Sequence, residues 1–432
     1  MAFNLLAPTN TRVPNPSGLS NLNQALPALE GMLLDQKPIG IIYLDIAKFG
    51  QLEGDYGQET FDEIFSITSD VLKGFSGSLF RRDDMLLISE DLGDVFILVF
   101  SNTRSVNEIT PEVLQGICQN IQTSLNEEIK NRLNGLIEQK IGYFAGFSIL
   151  YPDVRIHPQR QIYRAVKQAS RMSFDKQNDE FEKKISNLRG LIRGNHLVSF
   201  FQPIVSFDPC EILGHELLTR GPNGRAIMDS EVMFRIAEQG GLALDLERAA
   251  RNKAVESLQG KKLPGKIFLN NGPNVIMAPD FADLLIYERM GWDPSRVVIE
   301  LTEGEAIKNL REIKSRLEIF RREGCQIAVD DVGKGNSGLF LLTELKPEFA
   351  KIDMTLVRDI DKEELKQRLI EKLVEFGHSS NTRFIAEGIE TVREYEALIK
   401  LGVKYGQGFL FGVPNPDPHK ELEWLPDSKE KV

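Results

Sequence analysis

Short apolar runs alternate with amphipathic stretches along most of the chain, and their order predicts two folded regions. In residues 36–173 the pattern predicts strand, helix, a two-stranded hairpin, helix, strand and helix, which is typical of an α+β sandwich. In residues 194–425 eight apolar runs recur, mostly separated by helical stretches, which indicates an α/β fold of the TIM-like (β/α)8 barrel type. These eight runs are SFFQPIV, ILGHELLTR, KIFLNN, RVVIELTE, QIAVDD, FAKID, RFIAEGIE and YGQGFLF.

Two further segments flank and join these regions. Residues 1–35 begin with a stretch rich in Pro, Asn, Thr and Ser, which predicts a loose tail, and end in a helix predicted over Asn21–Leu34, whose start we expect Pro27 to delay. Residues 174–193 are highly charged, with apolar residues at wide helical spacing, and predict a helical connector. The chain is therefore expected to contain two domains joined by a helix.

Composition narrows the classes of partner and compartment. The 63 acidic and 52 basic residues give a net charge of −11, which would repel a polyanion, so we expect no nucleic-acid partner. The three cysteines are widely spaced and form no CxxC pair, which argues against disulfides and thiolate metal sites. No signal-peptide pattern begins the sequence, and no run reaches the ~18 apolar residues of a membrane span. These features predict a cytoplasmic protein without a membrane span.

Polar or charged residues end, or closely follow, nearly every predicted barrel strand. A single acid in such a position is usually a solvated or helix-capping residue, but its recurrence at most strands indicates a shared pocket. In a (β/α)8 barrel the strand ends converge on the catalytic face, so we expect these side chains to meet there. They are Gln202, Glu216, Asn270, Glu300, Asp330, Asp331, Lys351, Glu387 and Gln407.

Carboxylates gathered in one pocket would repel one another unless cations neutralised them, and a divalent metal is the simplest such cation. Oxygen ligands without a partnering His or Cys favour Mg²⁺ or Mn²⁺ over Zn²⁺. The adjacent Asp330 and Asp331 suggest two ions bridged by a shared carboxylate, an arrangement suited to phosphodiester hydrolysis. Lys351 and Arg220 could supply positive charge for a phosphate.

Seven motifs in this region match a known family in order and spacing. They are Phe201-Gln202-Pro203-Ile204-Val205, Gly214-His215-Glu216-Leu217-Leu218, Glu300-Leu301-Thr302-Glu303, Asp330-Asp331, Lys351-Ile352-Asp353, Ala386-Glu387-Gly388-Ile389-Glu390 and Gln407-Gly408-Phe409-Leu410-Phe411-Gly412. Over residues 194–418 they resemble the EAL family of cyclic di-GMP phosphodiesterases, with the Glu-Ala-Leu signature written here as Glu-Leu-Leu. The resemblance implies hydrolysis of cyclic di-GMP to the linear dinucleotide pGpG.

The resemblance also implies a role for each matching residue. The first of two Mg²⁺ or Mn²⁺ ions would be held by Glu216, Asn270, Glu300 and Asp330, and the second by Asp330 and Asp331. Lys351 would orient the attacking water, Glu387 would be the general base, and Glu303 would support the loop after Asp331. Contact with the substrate would be made by Gln202, Arg220 and Gln407. Gln407 would also support the second metal site.

The loop after Asp331 departs from the family pattern. The usual Asp-Asp-Phe-Gly-Thr-Gly-Tyr-Ser-Ser run is replaced by Asp-Asp-Val-Gly-Lys-Gly-Asn-Ser-Gly over residues 330–338. In the family this loop couples metal binding to dimerisation, and the resemblance implies a homodimer through the EAL domain. Three hypotheses stay open: an active cyclic di-GMP phosphodiesterase, a catalytically weak or inactive cyclic di-GMP receptor or scaffold, and a phosphodiesterase for another dinucleotide.

Residues 36–173 resemble a GGDEF domain, the partner that makes cyclic di-GMP from GTP. Leu44-Asp45-Ile46 and Leu92-Gly93-Asp94-Val95-Phe96 fall where the family has its metal-binding Asp and its signature turn. Leu92 replaces the first Gly of that turn, and Val95 replaces an acid that binds metal. The resemblance therefore implies a degenerate, inactive domain with a regulatory role, and GTP binding there is a hypothesis.

Overall fold

The computed structural model describes residues 19–47, 58–75, 84–89, 95–101, 109–132, 141–222, 230–261, 263–279, 281, 293–301, 309–333, 338–419, 422 and 424. The chain divides into two compact units, Met1–Lys183 and Lys184–Val432. Within the described ranges, no helix is both long enough and apolar enough to cross a bilayer. Each unit is described by itself below.

The first unit is built on a four-stranded antiparallel sheet. Its strands are β1 (Ile39–Ala47), β2 (Met85–Ile88), β3 (Val95–Phe100) and β4 (Gly142–Leu150), in the order β2-β3-β1-β4. Its helices are α1 (Leu22–Leu34), α2 (Gln58–Gly74), α3 (Pro111–Arg132) and the first part of α4 (Pro158–Arg193).

Both faces of this sheet are apolar and both are covered by helices. Alternate residues of β1 separate into two clusters, with Ile42 and Leu44 packing among residues of α2 and α3. Ile39 and Ile41 pack among residues of α1 and α4. The strand period of two therefore produces a three-layered α+β sandwich, as the sequence pattern predicts.

Two expectations about the helices of this unit are wrong. The first helix is not delayed by Pro27, because Asn21 and Gln24 form a capping box that fixes its start at Leu22. The last helix predicted within residues 36–173 does not end there, because the 36-residue α4 runs without a break through the predicted connector to Arg193. Ser173, the last residue before the predicted connector, donates a hydrogen bond from its hydroxyl to the carbonyl oxygen of Phe144.

The second unit is a closed eight-stranded barrel. Its strands follow one another around the ring and are β5 (Val198–Phe207), β6 (Cys210–Arg220), β7 (Lys266–Asn271), β8 (Val297–Leu301), β9 (Gln326–Val332), β10 (Phe349–Ile352), β11 (Arg383–Ala386) and β12 (Tyr405–Gln407). Its helices, besides the last part of α4, are α5 (Ser230–Gln239), α6 (Ala243–Leu258), α7 (Pro273–Met277), α8 (Leu310–Arg322), α9 (Gly338–Leu345), α10 (Met354–Val357), α11 (Glu364–Ser380) and α12 (Val392–Lys400). The predicted TIM-like barrel is confirmed.

One strand of the barrel runs against the others. Strands β6 to β12 are parallel to their neighbours in that run, whereas β5 is antiparallel to both β6 and β12. Only Asp208 and Pro209 separate β5 from β6, and a link of two residues can join antiparallel strands but is too short for a parallel crossover. The barrel therefore closes through two antiparallel pairings.

Candidate functional site

A ring of polar side chains lies directly above an apolar layer inside the barrel. The apolar layer contains Ile204, Phe268, Val298, Ala328, Phe349 and Ile385, with Tyr405 packed against it. Because side chains alternate along a strand, the residue two positions further along faces the same interior. On six parallel strands that position holds Asn270, Glu300, Asp330, Lys351, Glu387 and Gln407.

The antiparallel strand β5 contributes to the same ring by its register rather than by its end. Gln202 lies in the middle of β5, two positions before Ile204, and is paired directly with Glu216 of β6. Our expectation that Gln202 ends a strand is therefore wrong, although its predicted neighbours are right. Because β5 runs in the opposite direction, the residue two positions before its apolar-layer residue lies at the level that the residue two positions after occupies on the other strands.

Lys351 is the centre of the ring and is only 1% exposed. Its ammonium nitrogen lies 2.5 Å from Glu300 Oε1, 2.7 Å from Glu387 Oε1, 3.1 Å from Glu216 Oε2 and 3.4 Å from Asp330 Oδ1. One cation thus faces four carboxylates. The pocket floor keeps an excess of negative charge when these acids are ionised.

The charges of the ring shift one another's pKa values. Burial raises the pKa of Glu300 and of Glu387 well above the usual carboxyl range, and neighbouring carboxylates add to this while Lys351 opposes it. Burial would also raise the pKa of Glu216, but Lys351 and hydrogen bonds from two side-chain amides hold that pKa below its usual value. Burial would lower the pKa of Lys351, yet the surrounding carboxylates raise it well above its usual value.

Side-chain amides fix the orientation of Glu216. Its Oε1 accepts a hydrogen bond from Asn270 Nδ2 at 2.7 Å, and its Oε2 accepts one from Gln407 Nε2 at 2.7 Å. The same Gln407 nitrogen donates to Gln202 Oε1 at 2.9 Å, and Gln202 Nε2 donates to the carbonyl oxygen of Gly412 at 3.3 Å. The glutamate therefore has an amide donor on each of its two carboxylate oxygens.

The donor set fits a divalent cation. Asp330, Asp331 and Glu387 each place one carboxylate oxygen within 4.8 Å of the others, a spacing that could hold a metal ion. Glu300 Oε2 is buried and accepts no hydrogen bond from any residue that the structure describes, so it retains capacity for a cation. Oxygen donors of this kind suit hard divalent ions. The three carboxylates with metal-binding spacing include Glu387, which the sequence analysis predicted to be the general base and not a metal ligand.

A cleft of about 810 Å³ opens above this floor. It is bounded on one side by Glu216, Asn270, Asp330 and Asp331, and it extends between the ends of β6 and β7 and the helices α5 and α6. Pockets that hold small molecules typically have volumes of about 300–1,000 Å³. The cleft is thus large enough for a ligand that extends well beyond the ring of acids.

Other predicted residues lie outside the ring or outside the described residues. Arg220 ends β6 and donates from Nη1 to the carbonyl oxygen of Thr219 and the hydroxyl of Ser230. Glu303 and residues 334–337 of the altered loop lie outside the residues that the structure describes. The preceding Val332 is fully buried in the barrel core, so the residue in the family's Phe position has a packing role here.

Three cleft-lining residues escaped the sequence analysis. Glu247 and Arg251 lie one turn apart on α6, and Asn271 follows the predicted ligand Asn270. Charged residues at helical spacing on an amphipathic helix ordinarily face solvent, so the pattern contained no signal that this helix face borders a cleft. Asn271 escaped because strand alternation directs it away from the ring, where it is only 1% exposed.

Comparison with known proteins identifies the second unit. The family model of the EAL domain matches residues 185–414, more than half of the chain. The chain belongs to the EAL family. No family model matches residues 1–180, so the GGDEF resemblance of the first unit stays a prediction.

Relatives of this EAL protein include enzymes and ligand complexes. The cyclic di-GMP phosphodiesterase PdeR of Escherichia coli is 27% identical over 424 residues, covering 93% of this chain and 61% of PdeR. The chain therefore spans less than two thirds of that curated relative. The PaMucR phosphodiesterase in its c-di-GMP complex is 25% identical with a TM-score of 0.50, and the match covers 54% of this chain and 98% of that one. The Xanthomonas citri FimX EAL domain in complex with c-diGMP shows the shared fold. It is 20% identical with a TM-score of 0.51, and the match covers 56% of this chain and 97% of that one.

Proposed function

We propose that this EAL domain is a metal-dependent phosphodiesterase that hydrolyses cyclic di-GMP to pGpG. The observation that carries the proposal is the ring of acids around Lys351, two of which, Glu216 and Asp330, line a cleft of about 810 Å³. PdeR is named a cyclic di-GMP phosphodiesterase, and PaMucR was solved with c-di-GMP bound. Both relationships agree with the chemistry of the site.

The acids of the ring are suited to hold two divalent ions, Mg²⁺ or Mn²⁺. We assign Glu216, Asn270, Glu300 and Asp330 to the first ion, and Asp330 with Asp331 to the second; the unpartnered Glu300 Oε2 supports this assignment. Such ions would activate water and neutralise charge on the phosphodiester. The spacing of Asp330, Asp331 and Glu387 leaves Glu387 able to assist at the second ion.

The remaining residues of the ring would position water and substrate. Glu387 has a pKa raised by burial, which makes it a stronger base than an exposed glutamate and suits it to accept a proton from water. Lys351, held in place by four carboxylates, would orient that water. We assign Gln202, Arg220 and Gln407 to substrate contact, and Glu303 to support of the loop after Asp331.

For the first unit we propose a regulatory role without cyclase activity. Val95, in the position where the GGDEF family has an acid, is 1% exposed and packs in the apolar cluster of α1 and α4. Its partner across the strand pair, Asp45, keeps a carboxyl whose pKa is raised by burial. We retain residues 36–173, 174–193 and 194–425 as the proposed domain, connector and EAL boundaries. GTP binding and a homodimer stay predictions.

The test is incubation of the purified chain with cyclic di-GMP and Mg²⁺ or Mn²⁺, followed by chromatography of the products. We expect pGpG from the wild type and loss of at least about 100-fold in rate from Glu216→Gln or Glu387→Gln, since each removes charge from the metal-binding floor. Glu211→Gln is the matched control, because Glu211 lies on the same strand β6 but is exposed. Unchanged turnover in the two ring variants would contradict the proposal, and tight binding without any turnover would favour the receptor hypothesis.

A further inference from the structure

Arg251 is a buried cation that forms no ion pair with any residue that the structure describes. It lies on α6, is 7% exposed, and its Nε has no hydrogen-bond acceptor. Its guanidinium carbon lies 5.5 Å from the centroid of the Phe281 ring. Burying a guanidinium N–H group, here Nε, away from any hydrogen-bond acceptor is costly. A residue kept at such a cost is a candidate for binding a ligand.

The side chain of Arg251 borders the same cleft as the ring of acids. Arg251 lies one turn further along α6 than Glu247, or about 6 Å along the helix axis. Glu247 is already engaged, because its carboxylate accepts the backbone N–H of Val275 at 2.8 Å, at the start of α7. Arg251 therefore provides an uncommitted donor at a part of the cleft separate from the acids.

The walls around Arg251 suit a flat, partly apolar group. The cleft is also lined by the apolar residues Ala250, Ala254, Leu217 and Leu269, and the last three belong with Phe281 to one apolar cluster. Apolar walls of this kind exclude water from the faces of a planar ring, and the guanidinium is left to contact the ring's polar edge. A phosphate would have to give up its hydration against the same walls, and the divalent ions proposed at the acids on the other side of the cleft would be better suited to it.

Guanine presents the edge that an arginine fork recognises. Its O6 and N7 are adjacent acceptors, whereas adenine replaces O6 with an amino donor. A guanidinium can donate to both acceptors of guanine but meets a donor on adenine. We propose that Arg251 is a specificity-determining residue that binds the O6 and N7 edge of one guanine of the substrate, an inference that rests on the proposed function.

The test compares three cyclic dinucleotides with bases that differ at this edge. Cyclic di-GMP and cyclic di-IMP both carry O6 and N7, and cyclic di-AMP carries the amino group instead. Dissociation constants are measured with the full chain in a Glu387→Gln background, which limits turnover, and kcat/KM is measured in the native background. We expect Arg251→Met to weaken binding of the first two ligands by roughly 10- to 100-fold and that of cyclic di-AMP by less than about threefold.

Two further variants and one stability measurement separate binding from folding. Arg251→Lys keeps the charge without the fork and should fall between wild type and Arg251→Met. Arg248→Met, on the same helix but not among the cleft-lining residues, is the matched control and should bind all three ligands as wild type does. Without ligand, Arg251→Met should melt at the same temperature as the wild type or higher, because an unpaired buried charge has been removed. A merely structural arginine would give a lower melting temperature.

Each outcome bears on the inference. Equal weakening for all three ligands, or no weakening for cyclic di-GMP, overturns it, even if the wild type turns over cyclic di-GMP normally. A wild type that binds but does not hydrolyse cyclic di-GMP removes the proposed activity, while the base-dependent loss in Arg251→Met would still support this role. A wild type that binds none of the three ligands overturns both.

Discussion

Replacement of Lys351 by Met should destabilise the barrel because it leaves the acids of the ring without their central cation. At an effective dielectric constant near 20, one ion pair at 2.7 Å, the distance to Glu387, is worth about 6 kcal/mol before desolvation is counted. Desolvation of the ammonium offsets much of the total, and breaking a buried pair typically costs about 3–5 kcal/mol. For a domain of this size that loss corresponds to a fall in melting temperature of about 6–20 °C.

The assay is differential scanning calorimetry of the full chain at pH 7 without divalent metal, with Lys362→Met as the matched control. Lys362 makes an ion pair of 2.5 Å with Asp359, but both side chains are more than half exposed. Water screens an exposed pair of this kind and leaves it only a small contribution to stability, so the control should melt close to the wild-type temperature. A fall of less than about 2 °C for Lys351→Met would refute the reasoning.

Two further measurements show whether charge, rather than lost packing, causes the fall. Adding Glu300→Gln to Lys351→Met removes a fully buried carboxylate and should recover part of the lost stability. The pKa values of Glu300 and Glu387 are raised in the folded state, so their ionisation as pH increases destabilises the fold. The deficit of Lys351→Met should therefore shrink from about pH 7 to about pH 5. A deficit that is independent of pH would indicate lost packing.

Two predictions concern residues outside the ring. A Cβ at Gly408 would lie 2.1 Å from a backbone oxygen, so Gly408→Ala should lower the free energy of unfolding, measured by calorimetry, by about 1–3 kcal/mol. The control is Gly190→Ala, in a helix, where an added Cβ would meet nothing within 4 Å. That substitution should be neutral or stabilising. Burial raises the pKa of Cys118 and of Cys325 to about 11, so iodoacetamide at pH 8 should label the partly exposed Cys210 first; rapid labelling of either buried thiol in the native protein, read by peptide mass spectrometry, would contradict this assignment.

The barrel and most of its ring were predictable because their signals are local. Each apolar run ends near a polar residue. Because side chains alternate along a strand, that residue and the apolar residue two positions before it both point into the barrel interior. Glu300 and Lys351 could therefore be placed together although 51 positions separate them. The direction of β5 was also encoded locally, in the link of Asp208 and Pro209, but the alternation of strands and helices obscured it.

The remainder of the cleft depends on tertiary packing that no local pattern records. Which face of α6 borders the cleft is decided by how that helix lies against β6 and β7, so Glu247 and Arg251 resembled ordinary surface charges. The continuity of α4 through Ser173 is a second example, because its hydroxyl finds a partner on β4, far away in sequence. Distances such as that between Asp331 and Glu387 likewise depend on the staggering of strands around the ring.

Closure of the barrel through β5 and β12 has a consequence for synthesis on the ribosome. The first strand of the ring meets the last, with Ser206 paired to Tyr405, so nearly the whole unit must emerge before β5 gains its second neighbour. Until then the β5–β6 hairpin can form locally, but the outer edge of β5 stays unpaired, and open edges of this kind promote association between chains. Nascent chains halted before residue 405 should therefore depend on chaperones, and release once β12 has left the exit tunnel should abolish that dependence.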